Sequence, residues 1–308
     1  SLMRAMKLSC RLVLVGDADQ LPSVGCGNVL RDLIDSQKIS CIHLAQIFRQ
    51  AAQSLIVTNA HSIVHGEYPN LRERGNDFFF LRRVDNAGAS QTVVDLCTTR
   101  LPQTYGYSSM WDIQVLAPTR KGELGTMELN RRLQEELNPK DPGKAEFVLN
   151  ATTFREGDKV MQIRNNYDIE WKKDDERGMG IFNGDIGQIL SINRSAHTME
   201  IQFDDRVSVY TFDMAVDLEL SYACTVHKSQ GSEFKAVILP LMRPNPRLSY
   251  RNLLYTAVTR ARELLIIVGR DSAVQFMVDN VRKTLRYTNL ADFLCQALEE
   301  GHENTQEM

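Results

Sequence analysis

The chain has 308 residues, 43% of them apolar and 24% charged, with 36 Lys and Arg against 39 Asp and Glu for a net charge of −3. This is the composition of a globular protein of about two domains, and it excludes a disordered chain, a collagen and a coiled coil. No apolar run reaches the roughly 18 to 20 residues of a membrane span and no secretory leader is recognisable, so a cytoplasmic location without membrane contact is the expectation. Position reveals more than the sum: residues 151–220 carry a net −6 and residues 221–270 a net +6. The stretch from Lys228 to Arg270 is therefore where a polyanion would be met. Cys10, Cys26, Cys41, Cys97, Cys224 and Cys295 form no CxxC pair, so the sequence offers no zinc site, and reduced, mostly buried thiols are expected.

In chain order, Arg11 to Val15 (RLVLV) reads as a buried strand running into the loop Gly16 to Pro22, and Asn28 to Ser36 has helical spacing. A second strand is expected at Cys41 to Leu44 and a helix at Ser54 to His65. Phe78 to Leu81, Ile113 to Ala117, Ala236 to Leu241 and Leu264 to Val268 are short buried strands. Helices fall between them near Ser90 to Leu101, Gly125 to Leu137 and Asn252 to Ala261. That alternation predicts an α/β fold with a mainly parallel sheet. From Phe154 to Phe212 the rhythm changes to short strands at Lys159 to Ile163, Ile186 to Ile192, Met199 to Phe203 and Val207 to Phe212, punctuated by turns such as Asn183-Gly184-Asp185. These predict a small inserted β-barrel, whose acid excess argues against a general polyanion-binding surface. Lys172 to Gly180 (KKDDERGMG) and the acidic tail 299–308 are expected to be mobile.

Phosphate chemistry needs a cradle, yet neither GxxxxGK[ST] nor GxGxxG occurs in the 308 residues. Val13 to Asp17 has the form of a strand ending in a magnesium-binding acid, which is weak evidence alone. Its continuation, GDADQLPSVG, puts the amide of Gln20 on a loop at the carboxyl end of that strand. An amide both donates and accepts there, as a γ-phosphate sensor must. His61 and His65, four apart, lack the glutamate of HExxH and a third ligand, so no metal site is expected. Glu233 and Lys235 with Asp217 loosely match a nuclease acid pattern, but so short a pattern arises often by chance.

At Ala223 to Phe234 stands ACTVHKSQGSEF and at Leu254 to Arg262 stands LYTAVTRAR, following GDADQLPSVG and Ile47-Phe48-Arg49-Gln50. These segments, in this order, resemble motifs three to six of superfamily-one DNA helicases. VLAPTRKGELGTMELN, GDKVMQIRNNYD and FNGDIG narrow the resemblance to the RecD-like type, the stand-alone RecD-like helicases and the exodeoxyribonuclease V alpha-chain family, from about Arg11 to Leu290. The resemblance implies a RecA-like P-loop NTPase lobe interrupted by a small Src-homology-3-like β-barrel. Residues 1–37 would close a first RecA-like lobe, 38–150 and 221–298 would form the second, 151–220 would be the inserted barrel, and 299–308 a tail.

Carried over residue by residue, the resemblance assigns Gln20, Arg49 and Arg260 to the γ-phosphate and Gly231 and Glu233 to the nucleotide edge. Thr225, His227 and Lys228 would face single-stranded DNA. Thr119, Arg120 and Lys121 follow the strand Ile113 to Ala117, where the sheet's ligand edge should lie, so contact with DNA phosphates is expected of them by position. Guanidinium suits its role, being always charged and offering forked donors. On charge and spacing alone, Arg260 would instead form a helix-surface ion pair with Glu263, and His227 would be a core imidazole.

The family's phosphate loop and magnesium acids precede the GDxxQ strand, whereas this sequence begins ten residues before it, at Ser1-Leu2-Met3. The expectation is a C-terminal portion of a 5′-to-3′ helicase. ATP and Mg²⁺ would then bind only together with the N-terminal portion of the same protein, and the fragment would lack ATPase activity by itself. Single-stranded DNA and DNA-repair proteins are the implied partners. The alternatives are the helicase portion of a conjugative relaxase and a non-catalytic DNA-binding or protein-docking module.

Overall fold

The computed structural model describes residues 2–7, 9–23, 25, 27–44, 53–73, 77–281 and 288–296. The chain divides into two compact units, Ser1–Ile47 with Arg282–Met308, and Phe48–Val281. Among the described residues the first unit holds the short helices α1 (Leu2–Ala5) and α2 (Val29–Asp35), and residues 290–296 are helical as well. Arg11 to Val15 is not a strand there: Val13 is 73% and Val15 92% exposed, and Cys41 to Leu44 is likewise unpaired and open, with Leu44 at 94%. Both runs have strand composition, but a strand forms only where a neighbour completes its hydrogen-bond ladder. No paired strand lies beside either run among the described residues.

The second unit is built on a five-stranded parallel sheet. Its strands are β1 (Phe78–Arg82), β2 (Ile113–Ala117), β12 (Ala223–Thr225), β13 (Phe234–Leu241) and β14 (Ala261–Gly269), in the order β1-β14-β13-β2-β12. The central strands are apolar on both faces because helices cover the sheet; all five residues of β2 and seven of the eight in β13 are buried. The helices are α3 (Leu55–His65), α4 (Asn86–Asp95), α5 (Leu101–Tyr105), α6 (Thr126–Leu137), α7 (Arg251–Val258) and α8 (Asp271–Asp279). Val93, Val115, Leu129, Ile238 and Ile266 meet in one core.

Between α6 and β12 the chain leaves this layer. A hairpin of β3 (Glu146–Leu149) and β4 (Thr152–Arg155) turns on Asn150 and Ala151, both at positive φ, which is how a two-residue turn matches strand twist. The remaining strands are β5 (Lys159–Gln162), β6 (Asn166–Lys173), β7 (Glu176–Ile181), β8 (Ile186–Asn193), β9 (Thr198–Phe203), β10 (Arg206–Thr211) and β11 (Leu218–Leu220). They form an antiparallel sheet in the order β11-β5-β8-β9-β10-β6-β7. The chain after β7 returns to β5, where Gly184 N–H donates to Gln162 O and Gln162 N–H to Asp185 O, both at 2.9 Å. Ile169, Ile181, Ile189, Ile201, Phe203 and Tyr210 fill the interior.

The segment Lys172 to Gly180, expected to be mobile, is the β6–β7 hairpin. Gly178 serves packing rather than looseness: it lies opposite Trp171, whose ring leaves no room for a Cβ. The acidic tail 299–308 lies outside the described residues. Cys97 and Cys224 are buried, whereas Cys10 and Cys41 are exposed, so the thiols are less uniformly buried than expected.

Candidate functional site

Strand register separates the residues singled out from the sequence onto two edges of the parallel sheet. Thr225 pairs with Ala117 at the carboxyl edge, and Thr119 and Arg120 follow Ala117 by two and three residues. Ala236 pairs with Ile113 and Phe234 with Ala261, so Gly231, Glu233 and Arg260, just ahead of Phe234 and Ala261, lie at the amino edge. Nine residue steps from Thr225 to Phe234 therefore run from one edge to the other. That span holds the single turn of 3₁₀ helix Val226–Ser229 and then Gly231, which takes φ +83° in the left-handed region.

At the carboxyl edge the loop after β2 is tied to the start of α6: Thr126 N–H donates to Thr119 O and Met127 N–H to Arg120 O, both at 3.1 Å. Thr119 Oγ1 donates to Lys121 O at 3.2 Å. Arg120 and Lys228 converge on one carboxylate. Arg120 donates from a terminal nitrogen to Glu219 Oε1 at 2.9 Å, and Lys228 Nζ to Glu219 Oε2 at 2.5 Å. His227 lies 3.5 Å from the Tyr250 hydroxyl; its imidazole is exposed in part, yet enough protein surrounds it that desolvation lowers its pKa and favours the neutral ring. A cavity of about 150 Å³, lined in part by Thr119, Lys121, Gly125 and Arg243, opens beside the ends of β2 and β13.

At the amino edge Arg260 is 6% exposed. Its Nε donates to Thr256 O at 3.3 Å, one terminal nitrogen donates to Ser232 O at 3.0 Å, and the other lies 3.5 Å from Thr259 Oγ1. The ion pair with Glu263 is not made: Glu263 accepts from Tyr107 Oη at 3.0 Å instead. Arg260 thus bridges from the α7 end to the segment carrying Gly231 and Glu233.

Gln20 stands in the other unit. Its Nε2 donates to Asp17 Oδ2 at 3.2 Å, and Arg31 of α2 secures the same loop through Asp19 at 2.9 Å and Ala18 O at 3.0 Å. Arg49, with the whole of Ile47 to Gln50, lies outside the described residues. The nuclease-like pattern is dispersed: Lys235 pairs with Asp112 at 3.0 Å and Asp217 with Arg164 at 3.5 Å. The His61 and His65 rings lie 4.2 Å apart and tilted by 33°, with His65 Nδ1 2.8 Å from His61 O, and no three potential metal ligands gather among the described residues.

Three residues escaped the sequence reading. Glu219 is one. Asp158 and Lys159, where β5 begins, are the others, and both are fully enclosed. Asp158 accepts from Gln134 at 2.6 Å, Asn138 at 2.7 Å, Tyr222 at 2.9 Å and Arg155 N–H at 2.7 Å, joining α6, the barrel and the approach to β12. Burial nonetheless raises its pKa. Lys159 Nζ donates to Ile113 O at 3.2 Å, at the amino end of β2, and burial pushes its pKa down to about 8. The signal was the pair Asp158-Lys159 between a turn glycine and the apolar Val160-Met161, where two charges in succession sit on a strand with no solvent-facing alternation.

Comparison with known proteins gives three domain models in chain order. Residues 1–79 match an AAA domain, 129–203 an ATP-dependent RecD-like DNA helicase SH3 domain, and 220–268 a UvrD-like helicase C-terminal domain. The ATP-dependent RecD2 DNA helicase of Deinococcus radiodurans is 35% identical over 283 residues, 92% of this chain and 36% of that protein. The RecBCD enzyme subunit RecD of Mycobacterium tuberculosis is 28% identical over 302 residues, 94% of this chain and 49% of that one. This chain thus spans a third to a half of the length of these relatives. A Pif1 helicase from Bacteroides, solved with ADP-AlF3 and single-stranded DNA, covers 93% of this chain and 66% of its own at 15% identity and a TM-score of 0.45. With a RecD-like barrel model set between an AAA and a UvrD-like model, and relatives aligned along more than nine-tenths of its length, the chain is similar to the RecD-like superfamily-one helicases.

Proposed function

We propose that these residues are the C-terminal part of an ATP-driven helicase that moves 5′ to 3′ along single-stranded DNA. In this reading 1–37 end a first lobe, 38–150 and 221–298 form the second, 151–220 are its barrel and 299–308 a tail. The phosphate loop, absent from these 308 residues, is supplied by an N-terminal portion of the same protein. The observation that carries the reading is the separation of two kinds of cation onto opposite edges of one sheet, joined by the single segment Thr225 to Phe234. The names of the relatives, an ATP-dependent DNA helicase and a RecBCD subunit, supply the class of reaction.

Arg260, Arg49 and Gln20 would meet the terminal phosphate of ATP, where a guanidinium stabilises the charge that builds on the transferred group. Glu233 would accept from a ribose hydroxyl, and Gly231 would let the backbone approach the nucleotide. Arg260 fits this task because the carbonyls of Thr256 and Ser232 fix the direction of a guanidinium, a group that is always protonated. Mg²⁺ would neutralise phosphate oxygens and, like ATP, would be held together with the N-terminal portion. At the other edge Thr119, Arg120, Thr225, His227 and Lys228 would hold DNA phosphates, so a shift of the Thr225–Phe234 segment passes between nucleotide and DNA.

The test compares the 308-residue chain with a protein that also carries the first lobe. The long form should hydrolyse ATP faster with single-stranded DNA and unwind duplexes bearing a 5′ tail; the short form should do neither. ATP turnover by the short form would overturn the dependence on a first lobe, and unwinding from a 3′ tail would overturn the polarity.

A further inference from the structure

Glu219 belongs to β11, the strand at the end of the barrel sheet that leads into Tyr222 and β12. Its two carboxylate oxygens are divided between two cations from different loops, Arg120 after β2 and Lys228 after β12. Residues 120 and 228 are 108 positions apart, and the arrangement is not a chance surface pair of neighbours in sequence. The Lys228 and Glu219 side chains are only 23% and 31% exposed, so this bridge is screened less than an open one, whereas Arg120 at 60% keeps one side to solvent.

A carboxylate and a phosphodiester share the features such a pair of cations reads: one negative charge and two terminal oxygens, each able to accept from a separate donor. The two proposed DNA contacts are therefore already satisfied by a group with the chemistry of the backbone they would bind. We propose that Glu219 is a built-in stand-in for a DNA phosphate, and that a strand is captured by exchange, its phosphate taking Arg120 and Lys228 as the Glu219 carboxylate lets go. The exchange has a direction in its energetics. Breaking the internal bridge offsets part of the gain from the new contact, so the strand is held less tightly than two unpaired cations would hold it and is released more readily. For a motor that must let go of a phosphate at each step, weakened holding is a working property. The inference rests on the assignment of Arg120 and Lys228 to DNA made above.

Its test turns on a sign. Glu219→Gln keeps shape and one acceptor and removes the charge. Binding of a fluorescent single-stranded oligothymidylate by the 308-residue chain should then tighten roughly fivefold or more at low salt. Because Arg120 and Lys228 end on the same phosphates in both proteins, the slope of log affinity against log salt should stay close to the parent's while the whole line shifts toward tighter binding. If Glu219 instead serves to position the two cations, Glu219→Gln weakens binding, and that result overturns the proposal, as does an unchanged affinity. Arg120→Ala with Lys228→Ala separates the two layers of argument. If this double variant binds the strand as the parent does, the DNA assignment itself falls. If it binds more weakly while Glu219→Gln gives no tightening, the assignment stands and only the exchange is wrong. Circular-dichroism melting of each variant confirms that the compared proteins are folded.

Discussion

The two edges of the parallel sheet treat their cations differently. At the carboxyl edge Arg120 and Lys228 share a carboxylate, which offsets one of their two charges within the protein. At the amino edge Arg260 and Lys159 are enclosed and donate to main-chain carbonyls of Thr256, Ser232 and Ile113. A carbonyl fixes direction and leaves the positive charge whole; a carboxylate fixes direction and offsets it. The first arrangement is suited to a group that must act on an arriving anion in one geometry, the second to a contact that is made and broken repeatedly. An always-charged guanidinium tolerates burial among carbonyls, whereas an ammonium in the same setting yields its proton more easily.

The largest effect that would break this comparison is at Arg260. In a protein carrying both lobes, Arg260→Ala should lower DNA-stimulated hydrolysis by about 10³-fold or more, the scale of an arginine finger, with affinity for single-stranded DNA within about threefold of the parent. Arg260→Lys should rescue little, because three acceptors at one guanidinium need a fork and not a point charge. Equal losses of hydrolysis and DNA affinity would mean that the edges are not separate sites. Because removal of Arg260 leaves buried carbonyls without that donor, melting temperature is the necessary control.

Much of this layout was legible in the sequence, for physical reasons that also explain what was not. Ile113 to Ala117 reads as a central strand because both its faces are buried, so five apolar or uncharged residues follow one another, and the structure has a strand with the same limits. Arg11 to Val15 has similar composition but no paired neighbour, and composition does not report the partner. Lys172 to Gly180 failed in the opposite sense: its charges line the exposed positions of a hairpin whose buried side is supplied by Ile169, Gly180 and Ile181. The order of motifs marked Arg120, Lys228 and Arg260, yet nothing in one dimension could put the first two on Glu219 or the third on Ser232. The Glu219 pairings depend on the bend between β11 and β12, where Asn130 of α6 donates to Leu220 O at 2.9 Å and Ala223 O at 2.8 Å, and the Ser232 contact on the pairing of β13 with β14.

The second test concerns Lys159 and sharpens the contrast between two cations on carbonyls. Methionine at this position keeps an unbranched side chain and removes the buried charge. Burial lowers the Lys159 pKa from its ordinary 10.5 to about 8. Below pH 8 the folded protein therefore carries the full cost of a buried ammonium, and between about 8 and 10.5 the unfolded chain binds more protons than the folded one. Stability from this group then rises with pH across that window. Lys159→Met should be more stable than the parent by on the order of 1–3 kcal/mol at pH 7, and the gap should close as pH approaches 10. Cys97 and Cys224, pushed up to about 12 by burial, act in the opposite sense above pH 9. Lys159 lowers both thiol pKa values, so its removal alters them as well, and the comparison is cleanest below pH 9. A gap that stays constant from pH 7 to 10, or a variant less stable than the parent at pH 7, would show that the ammonium is better accommodated than its surroundings imply.

The smallest effect belongs to the segment that joins the edges. Gly231 has φ +83°, and a Cβ built there meets no atom within 4 Å. The demand for glycine is thus one of backbone conformation and not of space. Alanine should cost about 1 kcal/mol through left-handed strain, and asparagine less, since its short amide tolerates that region better. A melting series of Gly231, Gly231→Asn and Gly231→Ala should fall in that order. The reverse order, with the larger asparagine worse, would mean that the site is crowded when folded in solution. If the segment transmits between nucleotide and DNA, the stiffer alanine backbone should reduce the stimulation of hydrolysis by DNA more than it reduces DNA affinity. Stimulation that survives while the melting temperature falls would leave Gly231 a turn residue alone, and the coupling between edges would then have to run through α7, which carries Thr256 toward Arg260 and whose N-cap Tyr250 meets His227.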